Sequence, residues 1–120
     1  MFRPGEIVLA AFPFTDLSGS KLRPCAVLAV AESGDDFIVI FMSSATPQRF
    51  PRHGVVVPMS HPGWRATGSK VASVIRCDKL ATLDERVIHG AMGVLPADVL
   101  AQVRAKLGAL LLPATGGTKS

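Results

Sequence analysis

Apolar and polar positions change their rhythm about two thirds of the way along the chain. Short apolar runs separated by turn residues occupy the first part: IVLAAFPF (7–14), PCAVLAVA (24–31) and FIVIFMSS (37–44), with the polar loop TDLSGSKLR between the first two and the turn ESGDD between the second and third. Runs of this length, rich in β-branched residues and bounded by Gly, Asp and Ser, predict a three-stranded meander. GVVVP (54–58) reads as a fourth strand, MSHPGWRATGSK (59–70) as a long Pro- and Gly-rich excursion, and VASVIRCDKL (71–80) as a fifth strand. The period then lengthens. From Ala97 to Leu112 the residues Val99, Leu100, Val103, Leu107, Leu110 and Leu111 recur at three- and four-residue spacings, with Gln102, Arg104 and Lys106 directed away from them. This is the pattern of an amphipathic helix lying across a sheet. A shorter helical turn fits Leu83 to His89. Strands first and a closing helix predict a small α+β domain or partly open barrel.

Length sets the scale of that fold. The 120 residues suit one domain burying roughly two thirds of the surface of its unfolded chain. Apolar residues make up 48% and charged residues 18%, which excludes general disorder. The domain is expected over residues 1–112, with 113–120 a flexible tail lacking large side chains. No run approaches the roughly 20 apolar residues of a membrane span, and MFRPGE lacks the layout of a signal peptide. A cytoplasmic protein with no membrane association is expected, in which Cys25 and Cys77 are buried thiols rather than a disulfide. The formal charge of +4 favours a polyanionic or acidic partner.

The candidate chemistry lies in a few polar residues set into apolar runs. Arg76 and Asp78 stand two apart within SVIRCDKL, where strand alternation places both on one face. There an arginine holds a carboxylate ionised, so the pair reads either as an oriented base or as a structural ion pair on a solvated face. Arg23 precedes Pro24, which biases it toward extended geometry and aims its guanidinium, either as a two-pronged phosphate ligand or as an ordinary surface arginine. Ser43 and Ser44 end the third run, where hydroxyls donate to a phosphate or cap a turn. His53, His61 and His89 have no zinc-ligand spacing and neither cysteine has a CxxC partner, so no metal is assigned. Nucleophile-elbow and phosphate-loop motifs are absent from the sequence.

In this order and spacing, PGEIVLAAFPFTDLSGSKLRPCAVLAV, FIVIFMSS, SVIRCDKLATLD and the leucine-rich last helix resemble the MazF/PemK toxins of type II toxin–antitoxin systems, over about Pro4 to Leu112. SVIRCDKLATLD looks closest to the PemK (Kid-like) branch. The resemblance implies an SH3-like barrel of the MazF/PemK/CcdB type with a C-terminal helix, forming a homodimer. It also implies an endoribonuclease that cuts single-stranded RNA, such as mRNA, without metal or cofactor, leaving a 2′,3′-cyclic phosphate and a 5′-hydroxyl. A cognate antitoxin protein would neutralise it.

Carried over residue by residue, the resemblance assigns catalysis to Arg23, Ser43 (where the family commonly has threonine), Arg76 and Asp78. Asp78 would accept the 2′-hydroxyl proton, Arg23 and Ser43 would stabilise the phosphate, and Arg76 would orient Asp78 or assist the leaving oxygen. Lys21, Ser44, Arg49 and Arg52 are the candidates for RNA binding. The loop TDLSGSKLR lacks the histidine that some PemK-type members carry. Three other readings use the same barrel: a toxin that binds DNA gyrase, a catalytically silent binding module, and a generic RNA-binding barrel. The last is poorly supplied with stacking aromatics, with no Tyr and one Trp.

Overall fold

The structure, a computed structural model, describes residues 2–11, 22–44 and 52–112. Six strands form one antiparallel sheet: β1 (Glu6–Ala10), β2 (Arg23–Val30), β3 (Asp36–Ser44), β4 (Gly54–Val57), β5 (Ser73–Asp84) and β6 (Ile88–Val94), in the order β4-β5-β3-β2-β1-β6. β2, β3 and β4 lie where the periodicity puts them, β1 takes up the start of the first run, whose residues 12–14 lie outside the described residues, and β5 runs on to Asp84, past the expected end at Leu80. β6 is additional. Its sequence IHGAMGV holds two glycines and no buried residue, so neither an apolar run nor a clean alternation marks it. The helical turn expected at 83–89 is the short 3-10 segment Glu85–Val87, which links β5 to β6.

The central strands read as continuous apolar runs because both faces of the sheet are covered. On one side Ile7, Ala26, Ile40, Met42, Ile75 and Cys77 pack with Leu95, Val99 and Val103 from the last segment of the chain. On the other, Val8, Ala10, Cys25, Val27, Phe37, Val39 and Leu83 form a second layer, against which Phe2 and Ile88 rest. Phe2 meets Phe37 edge to face at 5.6 Å. Helix α1 (Ala97–Leu111) supplies the first layer through Val99 and Val103, with Leu100 and Leu107 at its margin. Leu111 corrects the expected helical face, since it and Leu112 are exposed at the end of the helix, beyond the reach of the sheet.

Among the described residues β4 and β6 are open edges, and the segment between β4 and β5 lies against β6. Its 3-10 turn Trp64–Thr67 packs so closely there that a side chain on Gly93 would run into the backbone of Ala66 and Thr67. Gly68, in left-handed geometry with φ +78°, leaves no room for a Cβ beside the Met92 carbonyl. Internal hydrogen bonds hold the segment rigid: Thr67 Oγ1 donates to the Trp64 carbonyl at 2.6 Å, and Trp64 Nε1 to that of Val71 at 3.1 Å. His61 ties it to α1. Its Nδ1 accepts the Gly63 N–H at 2.9 Å, so Nε2 is the donor to the Asp98 carboxylate at 2.8 Å. The sheet is thereby wrapped into a barrel-like shape. No helix among the described residues is long and apolar enough to cross a membrane. The expected tail, 113–120, lies outside the described residues.

Candidate active site

Strand register brings polar residues from three neighbouring strands onto the face that carries the second apolar layer. Ala10 of that layer pairs with Arg23, and Cys25 with Phe41. Phe41 pairs in turn with Arg76, and Ser43 with Val74. Residues directly opposite in an antiparallel pair share a face, so Arg23, Ser43, Phe41 and Arg76 all stand on the same side. Arg76 is the diagonal neighbour of Ser43, a separation of roughly 7–8 Å between backbones. The nearly buried Phe41 ends the apolar layer between them.

Asp78 lies within an irregularity of β5. Ile40 pairs with Leu80, but the next residue of β3, Phe41, pairs with Arg76. Cys77, Asp78 and Lys79 are therefore extra length on β5, accommodated as a bulge. Ile75 and Cys77 both belong to the first apolar layer, so alternation still holds here and puts Arg76 and Asp78 together on the other face, where Arg76 Nε donates to Asp78 Oδ1 and Nη2 to Oδ2, each at 3.1 Å. Those bonds, more than the bare charge, hold the Asp78 carboxyl below the usual carboxylate range. Asp78 is thus ionised at neutral pH. On the far side of the bulge the Cys77 N–H donates to the His53 carbonyl at 2.9 Å, which anchors it to β4.

Arg23 and Ser43 line an open cavity of about 320 Å³ at the end of the sheet, together with Ser44, Ser69, Lys70 and Ser73. Ser44 and Ser73 are paired across β3 and β5, and Ser73 Oγ donates to Ser69 Oγ at 3.1 Å. Two cations and four hydroxyls around one cavity suit an oxyanion. The structure thus unites Arg23, Ser43 and Ser44 in one cavity and Arg76 with Asp78 in a fork one diagonal step away. Arg52 lies two residues before β4, in a different cleft. Lys21 and Arg49, also expected to contact RNA, lie outside the described residues. Ser69, Lys70 and Ser73 were not singled out from the sequence. Their one signal is the polar GSK run that ends the excursion immediately before β5.

Both cysteines are buried free thiols. Burial pushes Cys25 up to about 12, and Cys77 is raised by the same cause. Among the described residues no group of three His, Cys, Asp or Glu side chains is placed to hold a metal ion.

Comparison with known proteins agrees with the fold. A MazF from Deinococcus radiodurans superimposes with a TM-score of 0.67 at 27% identity, over 90% of this chain and 94% of that one. The MazF of a MazE–MazF complex from the same organism gives 0.65 at 26% identity, over 92% and 95%. The Mycobacterium tuberculosis toxin MazF-mt6, at 19% identity, gives 0.66 over 88% and 95% and supports the fold alone. No curated protein matches the chain in sequence. Residues 3–111 match the family described as PemK-like, MazF-like toxins of type II toxin–antitoxin systems, nearly the whole of the fold described above, and the chain belongs to that family.

Proposed function

We propose that the protein is a metal-independent endoribonuclease that cuts single-stranded RNA through its 2′-hydroxyl. The observation that carries this reading is the Arg76–Asp78 fork, set one diagonal step from the Arg23–Ser43 cavity on a single sheet face. Asp78 removes the 2′-hydroxyl proton as that oxygen attacks the adjacent phosphorus. The bond from phosphorus to the 5′-oxygen breaks, the departing oxygen takes up a proton, and the products are a 2′,3′-cyclic phosphate and a 5′-hydroxyl. Arg23 and Ser43 donate to the phosphoryl oxygens where negative charge builds. Arg76 engages both oxygens of Asp78, which keeps the base ionised and pointed in one direction. The same engagement lowers its basicity, so catalysis rests on orientation and on stabilisation of the phosphate as much as on proton affinity.

The wider reading follows from family membership: a cytoplasmic homodimer, silenced by a cognate antitoxin that covers the same face. Support for the antitoxin comes from the MazE–MazF complex among the similar structures. The test is incubation of the purified protein with mixed-sequence RNA in EDTA, followed by mapping of the cut ends. Cyclic phosphate and 5′-hydroxyl ends are expected. Uncut RNA, or cutting that needs added metal, would overturn the reading.

A further inference from the structure

A second basic cleft, of about 300 Å³, lies between the start of β4 and the second half of α1, lined by Arg52, His53, Lys106, Ala109 and Leu110. Among the described residues no carboxylate borders it. Arg52 and Lys106 are exposed, and His53 is half-buried. Lys106, Ala109 and Leu110 stand three and four residues apart, so one face of α1 presents a cation beside an apolar floor.

The place of this cleft gives it a meaning. Arg76 pairs with Phe41 of β3 on one side and with Gly54 of β4 on the other. The Arg23–Ser43 cavity opens on the β3 side, and the Arg52–Lys106 cleft begins on the β4 side, where the His53 carbonyl accepts the Cys77 N–H next to Asp78. The Lys106 charge reaches that bulge, opposing the effect of burial on the Cys77 thiol. The cleft lies on the α1 side of the sheet beside the open β4 edge, so a strand leaving the Arg76–Asp78 fork reaches it by passing over that edge. A strand held for cutting at the fork carries a further phosphate on each side, and each needs a counter-charge.

We propose that Arg52 and Lys106 bind a phosphate of the RNA strand outside the cut, with the flanking sugar or base on Ala109 and Leu110. The proposal rests on the endoribonuclease reading and adds the helix to the substrate path. A cleft with two cations, no acid and a small apolar floor matches a nucleotide, which offers an anion joined to an apolar face. Contact with the backbone predicts affinity without base preference.

The test measures binding of a non-cleavable 2′-O-methyl RNA of roughly 12 nucleotides, within the range that single-strand grooves accept, against salt concentration. Lys106→Ala and Arg52→Ala should each weaken it for every base sequence and lower the slope of log K against log salt by about 0.7, the loss of one single-strand phosphate contact. Arg104→Ala, exposed on the same helix and outside the cleft, should leave the slope unchanged. A dinucleotide substrate confined to the fork should be cut equally fast by the wild type and Lys106→Ala. Unchanged slopes in both cleft variants, with the wild type still cutting RNA, overturn this proposal alone. Unchanged RNA binding with weakened binding of an acidic antitoxin assigns the cleft to the protein partner and also overturns it. A wild type that binds no RNA removes the endoribonuclease reading and this proposal together.

Discussion

The described residues hold two Arg–Asp forks built almost alike. Arg76 grips Asp78 and Arg86 grips Asp84, each pair two residues apart, with bonds of 3.1 and 3.1 Å in the first and 3.0 and 3.1 Å in the second. In both, hydrogen bonds from the arginine hold the carboxyl below its usual range. Their surroundings differ. Arg86 is 88% exposed, and Asp84 also accepts the Arg86 N–H as the cap of the 3-10 turn. The Arg76 side chain is only 25% exposed and stands on the face it shares with Arg23, Ser43 and Phe41. An ion pair and a lowered carboxyl pKa therefore do not identify a site. What distinguishes Asp78 is the bulge in which it lies and the oxyanion-binding groups one strand away.

The largest expected effect separates the two forks by activity. Asp78→Asn should slow RNA cleavage by roughly 10²–10⁴-fold, the contribution of a positioned base. Its thermal midpoint should change little, because an ion pair this exposed contributes about 1 kcal/mol or less. Cleavage at the wild-type rate would return Asp78 to the same standing as Asp84. Next in size is Arg23→Lys, which keeps the charge but loses the planar fork and should cost about 10²-fold in single-turnover rate, as when one oxyanion donor is removed. Equal rates would reduce Arg23 to a general electrostatic contact.

Arg76→Lys sharpens the comparison through titration. The fork is the leading cause of the lowered Asp78 pKa, so its loss should move the carboxyl up toward the ordinary value, read by carbon NMR, and the acid limb of the rate profile should move with it. Arg86→Lys should raise Asp84 in the same way and leave the rate profile alone. A rate limb that follows Arg86 instead would reverse the assignment.

Stability against pH treats the forks as equals. Both carboxyls are depressed in the folded state, so each binds fewer protons there than in the unfolded chain and contributes stability above the unfolded value near 3.8. That contribution is lost as pH falls from 3.8 through the lowered folded values. Urea midpoints of Asp78→Asn and Asp84→Asn should each lose part of the wild type's pH dependence in that window. A midpoint flat with pH in the wild type would contradict both depressed values. Smallest of all is the effect of Asp84→Asn at neutral pH: a slight fall in thermal midpoint from the weakened cap, with cleavage unchanged.

Legibility from the sequence follows the same contrast. Strands β1 to β5 and the helix are visible because each places apolar residues at its own period, and the family resemblance joins them into a barrel. β6 escapes because none of its residues is buried and two are glycines, of which Gly93 serves close approach to Ala66 and Thr67 rather than apolar contact. Arg76 and Asp78 were legible as a pair because alternation holds across them, with Ile75 and Cys77 on the opposite face, whereas the bulge leaves no mark on a single sequence, since it shows only against the partner strand. Ser69 and Lys70 reach the cavity through the fold of the 58–72 segment, and Ser73 through its pairing with Ser44, which brings residues far from Arg23 in sequence to its side.

The central claim, that Asp78 and not merely an Arg–Asp fork performs the cut, is tested most directly by measuring single-turnover cleavage of one RNA by Asp78→Asn and Asp84→Asn side by side in EDTA. The account predicts that Asp84→Asn matches the wild type while Asp78→Asn falls behind it by roughly 10²–10⁴-fold. Equal rates in the two variants would contradict it.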